Sequence, residues 1–512
     1  MIGYLCANFN FYMTFFLRVF TCTLGLLGVV SLILTSGCIK DENISSDPSF
    51  TLSFSSDTLL FDTIFTTVGS TSKYLKVYNH NEKTVKISRI WLAGGISSQY
   101  RINVDGDPST SVKDIEISNG DSLFIIVKVT VDPTLQNGPL IISDSIVFEI
   151  NGNVQDVDLA AWGQDAHFFV GNQTIAGLSY PFTIIAEEGE SVTWEDDKPY
   201  VIYGWGVVDS TAQLHIGPGV DIHFHQNSGL WVYRGGSIHV NGEKDSLVTF
   251  QGDRLEYEYQ DNPGQWDRIW INEGSVNNEF NYAVIKNGFI GLQAEITNED
   301  MGNALILNNT IIQNMSRWGL FTIAYKVYST NSVFVNCAEN TLFITTGGVY
   351  DFRHCTFANY WSGSVRLDPS FTLSNNLIVQ GADGGLITLL GNLDAYFGNC
   401  IIYGNLEEEI VFSNDETVEF NYTFDHCDLK TQMDISDENL YINCLQNKDP
   451  KFIDYSLYNY RPDTLSPVSD VGDIEVINTS QTDVSFDLDE NSRTSDQGPD
   501  LGAYEFIPDG GK

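Results

Sequence analysis

A six-residue phrase returns seven times in the second half of the chain, and it limits the possible folds more than any other feature. The copies are Tyr282-AVIK-Asn287, Asn309-TIIQ-Asn314, Asn331-SVFV-Asn336, His354-CTFA-Asn359, Asn376-LIVQ-Gly381, Asn399-CIIY-Gly404 and His426-CDLK-Thr431, at intervals of 27, 22, 23, 22, 23 and 27 residues. Recurrence this regular means stacked copies of one supersecondary unit. Helical repeats need about 33 residues or more. Apolar residues inside these phrases instead alternate with period two, so each unit reads as one coil of a parallel β-solenoid.

The columns of the alignment carry the expected packing. Column four (Ile285, Ile312, Phe334, Phe357, Val379, Ile402, Leu429) is large and apolar and reads as an inward stack. Column two (Ala283, Thr310, Ser332, Cys355, Leu377, Cys400, Cys427) is mostly small and faces the same way. Column six is Asn or Gly in six coils and reads as the bend between two sheets, because both residues tolerate positive φ. Columns three and five face outward; column three is apolar enough to predict a covered surface. Cys355 and Cys400 are placed two coils apart, beyond disulfide reach, while Cys400 and Cys427 are neighbours whose parallel side chains favour free thiols over a bridge. Upstream, Leu214-His-Ile and Ile238-His-Val continue the pattern, giving about eleven coils between residues 200 and 455.

From Phe50 to Ala166 the chain alternates apolar and polar residues, as at Leu75 and Val77 against Lys76 and Tyr78, and is punctuated by Asn-rich turns. About seven half-buried antiparallel strands of this kind suit a β-sandwich. Val77-Tyr78-Asn79, Asn119 to Ser122, Val131-Asp132-Pro133 and Gly163 occur in the order in which similar motifs occur in Hydin-type immunoglobulin-like domains, which this segment resembles. The resemblance implies a spacing or docking module.

Residues 19–34 are apolar or small, follow Arg18, and end at Thr35-Ser36-Gly37-Cys38. The stretch is short for a membrane span and suits the hydrophobic core of a secretory signal. It resembles a bacterial lipoprotein signal, with Thr35 departing from the usual Leu, Met13 expected as the start, and Cys38 as the lipidated residue. Ile39-Lys40-Asp41-Glu42 resembles the export signal of Bacteroidota surface lipoproteins. The expected organisation is therefore signal peptide 1–37, tether 38–49, sandwich 50–166, and a β-helix with a C-terminal cap over 167–512. After removal of the signal five cysteines besides Cys38 remain, an odd number that argues against a disulfide framework.

The phrases, together with Asp449-Pro-Lys-Phe-Ile-Asp and Pro499-Asp-Leu-Gly-Ala-Tyr-Glu505, resemble the right-handed parallel β-helix proteins of the pectin-lyase-like class. The acidic stretch from Asp473 to Gln497 interrupts that ending and reads as an exposed loop. Enzymes of the class need acids and a base, or paired aspartates, on one exposed sheet. The outward columns do not supply them, and the polygalacturonase-type Asn-Thr-Asp and Gly-His-Gly motifs are missing.

Other polar groups read as structural. His215, His223, His225 and His239 read as exposed strand histidines, because no cysteine or carboxylate at ligand spacing accompanies them. Glu407-Glu408-Glu409 reads as a solvated turn. No cofactor or metal ion is implied.

Aromatic residues are the better lead. In Gly264-Gln-Trp266-Asp-Arg268-Ile-Trp270-Ile, alternation places Trp266, Arg268 and Trp270 outward, a row able to stack sugar rings and bind their hydroxyls or acids; the alternative is packing beneath the loop from Glu256 to Pro263. Tyr360 and Trp361 form a second candidate at a coil corner.

With 67 acidic against 26 basic residues, the net charge of −41 opposes nucleic acid as a partner. The sequence thus reads as a lipid-anchored protein facing the cell exterior from the outer membrane and binding extracellular polysaccharide or another surface ligand without catalysis. One alternative is a polysaccharide lyase or hydrolase using Asp253, Glu256, Glu258, Asp261 and Asp267. Another is a structural component of an outer-membrane assembly docking through the apolar third column.

Overall fold

The computed structural model describes residues 44–507 apart from 66–68, 132–139, 176, 296–304 and 382–383. Cys38, the signal segment and Asp132-Pro133 lie outside the described residues. The chain divides into two compact units, one formed by residues up to Leu59 with Thr71–Lys128 and Ser143–Leu159, the other by Leu60–Ser70, Val129–Ile142 and everything from Ala160 onward.

The first unit is a β-sandwich. Lys73–Tyr78 pairs antiparallel with both Ser53–Phe54 and Ser122–Val129, and Val85–Leu92 pairs antiparallel with Ser111–Ile117 and with Leu140–Ile150. Leu75 and Val77 are fully buried, as their alternation predicts, and Phe54 meets Phe148 of the opposite sheet at 4.9 Å between ring centroids. Asn79 ends its strand for a physical reason: its buried amide donates to the carbonyls of Lys83, Ile117 and Ser118, and Gly120 N–H donates to its carbonyl. A hydrophobic residue there would leave those carbonyls unpaired.

The second unit contains the parallel β-helix. Its two long sheets hold eleven and seventeen strands among the described residues. The shared register runs Ile285–Ile312–Phe334–Phe357–Ile402–Leu429, all fully buried. Each such side chain contributes about 1.5–3 kcal/mol on burial, and the stack is one continuous row of the solenoid core. Leu214, His215 and Ile216 pair with Ile238, His239 and Val240, as the upstream repeat predicts.

Three expectations about the columns are corrected. The fifth phrase is not a coil: Asn376–Gln380 turns outward and pairs antiparallel with Leu386–Leu390, while Thr356–Asn359 pairs directly with Ile401–Gly404. Leu377 is too large for column two, and Gly384, at φ 82°, closes the hairpin with its N–H donating to the Gly381 carbonyl. Cys355 and Cys400 are therefore neighbours, with Cys355 N–H 3.5 Å from Cys400 Sγ; Cys400 N–H lies 3.4 Å from Cys427 Sγ, and all of these thiols are free.

The second correction concerns the bend. Column one holds it in each stacked copy of the phrase and in the coil that follows: Tyr282, Asn309, Asn331, His354, Asn399, His426 and Asn443 all have φ between 47° and 51°. Their side chains form a partial ladder, Asn309 donating to Asn281, Asn331 to Asn309, and Asn399 meeting His354. Column six has positive φ only at Asn287, Asn314 and Asn336. Gly404 serves space instead, since a Cβ there would lie 2.1 Å from Glu409 Oε1.

The third concerns the C-terminal segment, which is not an exposed loop between Asp473 and Gln497. Val484, Leu488 and Arg493 are buried, and Arg493 pairs with Glu505 at 2.6 Å. Tyr460, Leu488, Ala503 and Tyr504 pack on Val333, Val335 and Ala358, while Val468 and Leu501 cover Ile401. The apolar third column is thus covered by the chain's own C-terminal segment.

Candidate binding face

The seventeen-stranded sheet positions the aromatic side chains that remain accessible. Leu230-Trp231-Val232 pairs residue for residue with Ile269-Trp270-Ile271, and the next strands continue the central position as Gln293, Phe321 and Phe343. Flanking aliphatics point into the core, so parallel register brings the central side chains into one outward row, in which Trp231, Trp270 and Phe343 are half-buried and Gln293 and Phe321 are buried by their neighbours. Trp231 and Trp270 stack at 5.1 Å with planes 13° apart, and Trp205 meets Trp270 edge-on. Trp318 packs against Phe321 and Phe343 at 4.4 and 5.1 Å.

Polar groups frame this row. Trp270 Nε1 donates to Glu295 Oε1 at 2.6 Å, and Asn272 donates to the same oxygen. Arg268 pairs with Asp267 at 2.5 Å and donates to Gln293. Arg317 pairs with Glu339 at 3.2 Å and lies over Trp318 at 3.7 Å. The exposed Phe289 ring sits 5.8 Å from both guanidinium groups.

Arg268 and Trp270 therefore lie on this face as read from sequence, but Trp266 does not. The strand spans only Ile269–Ile271, so the alternation does not reach back to residue 266. Trp266 is 1% exposed, stacks on Phe224 at 4.5 Å and donates from Nε1 to the Lys286 carbonyl. Tyr360 and Trp361 are also withdrawn as ligand contacts: Tyr360 stacks on Tyr455 at 4.1 Å, and Trp361 is buried with its indole N–H on Ser364. Nor do the exposed rings form one flat floor, because Trp231 and Trp270 stack on each other and present edges.

Sequence reasoning missed Trp231, Phe289, Arg317, Trp318 and Phe343. Aligning Gly229-Leu-Trp-Val with Arg268-Ile-Trp-Ile would have found Trp231.

The acids of the enzymatic alternative lie in local pairs where their partners are seen. Asp253 accepts from His225 at 2.7 Å and from Tyr203, Glu256 pairs with Arg254, and Asp267 pairs with Arg268. The Asp253 carboxylate raises the His225 pKa. The four histidines do not converge. His215 stacks on His239 at 4.8 Å, whereas His223 is buried and donates from Nδ1 to the Gly252 carbonyl, with its pKa lowered by desolvation. Glu409 is no solvated turn residue: it is fully buried in a two-point ion pair with Arg366 at 2.5 and 2.7 Å. Removing one partner of such a pair costs about 3–5 kcal/mol.

A cavity of about 120 Å³ lies between Tyr328, Asp351, Arg353 and Gln481, small beside the roughly 300–1,000 Å³ of ligand pockets. Among the described residues, no helix is long and apolar enough to cross a membrane.

These features define the class: an all-β protein with a β-sandwich followed along the chain by a parallel β-helix. No protein-family model and no curated protein matches the sequence. Among solved structures, the chain is similar to pectate lyase Pel9A, with 11% identity, TM-score 0.30, and 67% of this chain covering 88% of that one. The human CEP192 PapD-like domain matches with 10% identity and TM-score 0.16, over 26% of this chain and 94% of the domain. A family 123 glycoside hydrolase from Clostridium perfringens matches with 10% identity and TM-score 0.17, over 28% of this chain and 30% of that one.

Proposed function

We propose that this protein binds an extracellular polysaccharide, without cleaving it, along the aromatic face of the seventeen-stranded sheet. The observation that carries the reading is the set of half-buried rings Trp231, Trp270 and Phe343 on one outward row, with half-buried Trp318 and exposed Phe289 beside it and Arg268 and Arg317 at its margin. Aromatic edges and faces accept the apolar faces of sugar rings, and the guanidinium groups suit hydroxyls or acidic substituents. Both arginines are neutralised by Asp267 and Glu339, so the face suits a neutral sugar better than an acidic one. The sandwich is proposed as an immunoglobulin-like spacer, and Cys38 as a lipidated residue tethering the protein to the outer membrane. Labelled fatty acid incorporated in the parent and retained in Cys38→Ser would overturn that anchor.

The testing experiment is a glycan array run beside a polysaccharide-digestion assay on the same purified chain. Binding without product is the expected result. Shortened or unsaturated sugars would replace the reading with an enzymatic one centred on the loop carboxylates. Silence in both assays would overturn glycan recognition.

The docking alternative loses its original support, because the apolar third column is occupied by Tyr460, Leu488 and Tyr504.

A further inference from the structure

We propose that Asp425, His426 and Asp473 form a binding site for one divalent metal ion, zinc by preference, at the seam where the C-terminal segment crosses the β-helix. One oxygen of each aspartate and one nitrogen of the histidine lie within 4.8 Å of one another. His426 Nδ1 is 2.8 Å from Asp425 Oδ1 and 3.9 Å from Asp473 Oδ2. Zinc bonds of about 2.0–2.2 Å in tetrahedral geometry require donors about 3.3–3.5 Å apart. Those two distances bracket that value, so one must open and the other close by about half an ångström, and the two carboxylate oxygens, within 4.8 Å of each other, must close by up to about 1.4 Å through rotation of the Asp473 side chain. Three protein donors leave a fourth position for water.

Each donor is held by a group outside the trio, the arrangement by which metal ligands are oriented. Asp425 ends the strand Phe420–Asp425, and its second oxygen accepts from Tyr396 Oη at 2.8 Å. His426 occupies the left-handed bend of column one, at φ 51°, which turns its ring out beside Asp425, and its Nε2 faces the Asn443 amide at 3.2 Å. With a metal on Nδ1, Nε2 carries the proton and donates to the Asn443 side-chain oxygen, which requires only a half-turn of that amide. Asp473 is fixed through its backbone: its N–H donates to Asn399 Oδ1 at 2.8 Å, and its carbonyl accepts from Asn399 Nδ2 at 2.9 Å. Its Oδ1 accepts from Glu475 N–H, leaving Oδ2 for the ion. Imidazole with two carboxylates suits a borderline transition ion better than calcium, which takes six to eight oxygens. A bound ion would join the coil at Asp425 to the segment beginning at Asp473, tying the C-terminal cover to the solenoid.

The test uses the full chain stripped with chelator, titrated with zinc chloride by calorimetry and with cobalt(II) chloride by visible absorption. One ion per chain is expected, with cobalt d–d bands and without the near-ultraviolet charge-transfer bands that thiolate ligation by the cysteines would give. His426→Asn keeps a residue suited to the bend, and Asp473→Asn keeps a helix cap. Each is expected to weaken binding tenfold or more and to abolish the rise in unfolding midpoint that zinc gives the parent. Failure to bind a stoichiometric ion would show His426 to be only a hydrogen-bond partner of Asp425 and would overturn the site. So would thiolate bands, or unchanged affinity in both variants.

Discussion

Asp428 stands in the column that holds Ile401 and Leu445 in the neighbouring coils and is fully buried. Its Oδ1 accepts from Lys448 N–H at 3.3 Å, and its Oδ2 has no hydrogen-bond partner. Burial pushes its pKa from 3.8 up to about 8. Between those values the folded chain holds a proton that the unfolded chain has released. Its contribution is therefore fully present below about pH 4 and is lost as pH rises through about 8, at up to about 1.4 kcal/mol per pH unit. Glu505, raised to about 7, and Asp500, raised to about 6, act in the same direction. Asp428→Asn removes one of these terms. Urea unfolding at pH 5 and pH 8 is expected to show a smaller loss of stability in the variant than in the parent; equal losses would contradict the assignment. The same residues show how far sequence carries at this scale. Column three was legible as covered, but a single acid in it does not reveal whether it is exposed at a terminal coil or buried under a cover. Trp266 and Trp270 share a parity in the sequence, yet only the second lies within the strand, so parity alone placed one ring correctly and the other wrongly. Glu409 looked like one of three solvated acids because its partner, Arg366, lies 43 residues away.

The repeated phrase identified the coils and the inward stack, and it failed where a segment matched the pattern without sharing the environment. Asn376–Gln380 has the right apolar alternation, but the hairpin it forms with Leu386–Leu390 leaves Ile378, Leu386 and Ile387 exposed. Periodicity reports which side chains share a face, not whether a neighbouring coil waits to cover it. The bend was legible as Asn-rich, but both ends of the phrase are Asn-rich, and only backbone geometry separates a left-handed column one from a column six that also makes room for Glu409. The hairpin assignment makes a direct prediction. Replacing residues 377–389 with a short Gly-Ser linker is expected to preserve the far-ultraviolet circular dichroism and to move the unfolding midpoint by only a few degrees, because Thr356–Asn359 already pairs with Ile401–Gly404. Removal of a true coil would expose the core on both sides and unfold the solenoid. Loss of the cooperative transition would therefore contradict the topology.

At the scale of the molecule, the parallel sheets repeat one outward position along many coils, which is how a solenoid presents an extended surface from short strands. The third column of one sheet is occupied by the C-terminal segment, while the row through Trp231 and Trp270 stays partly open. That contrast was not legible in the sequence, because it depends on contacts between residues as distant as Val333 and Tyr504. The most direct test compares two tryptophans four residues apart in their affinity for the glycan that gives the strongest array signal. Trp270→Ala is expected to lose about tenfold, or ~1.4 kcal/mol of binding. Trp266→Ala is expected to lose about 3–5 kcal/mol of folding stability while keeping the parent's affinity wherever it remains folded. Unchanged affinity in Trp270→Ala, or a loss confined to Trp266→Ala, would contradict binding at this face.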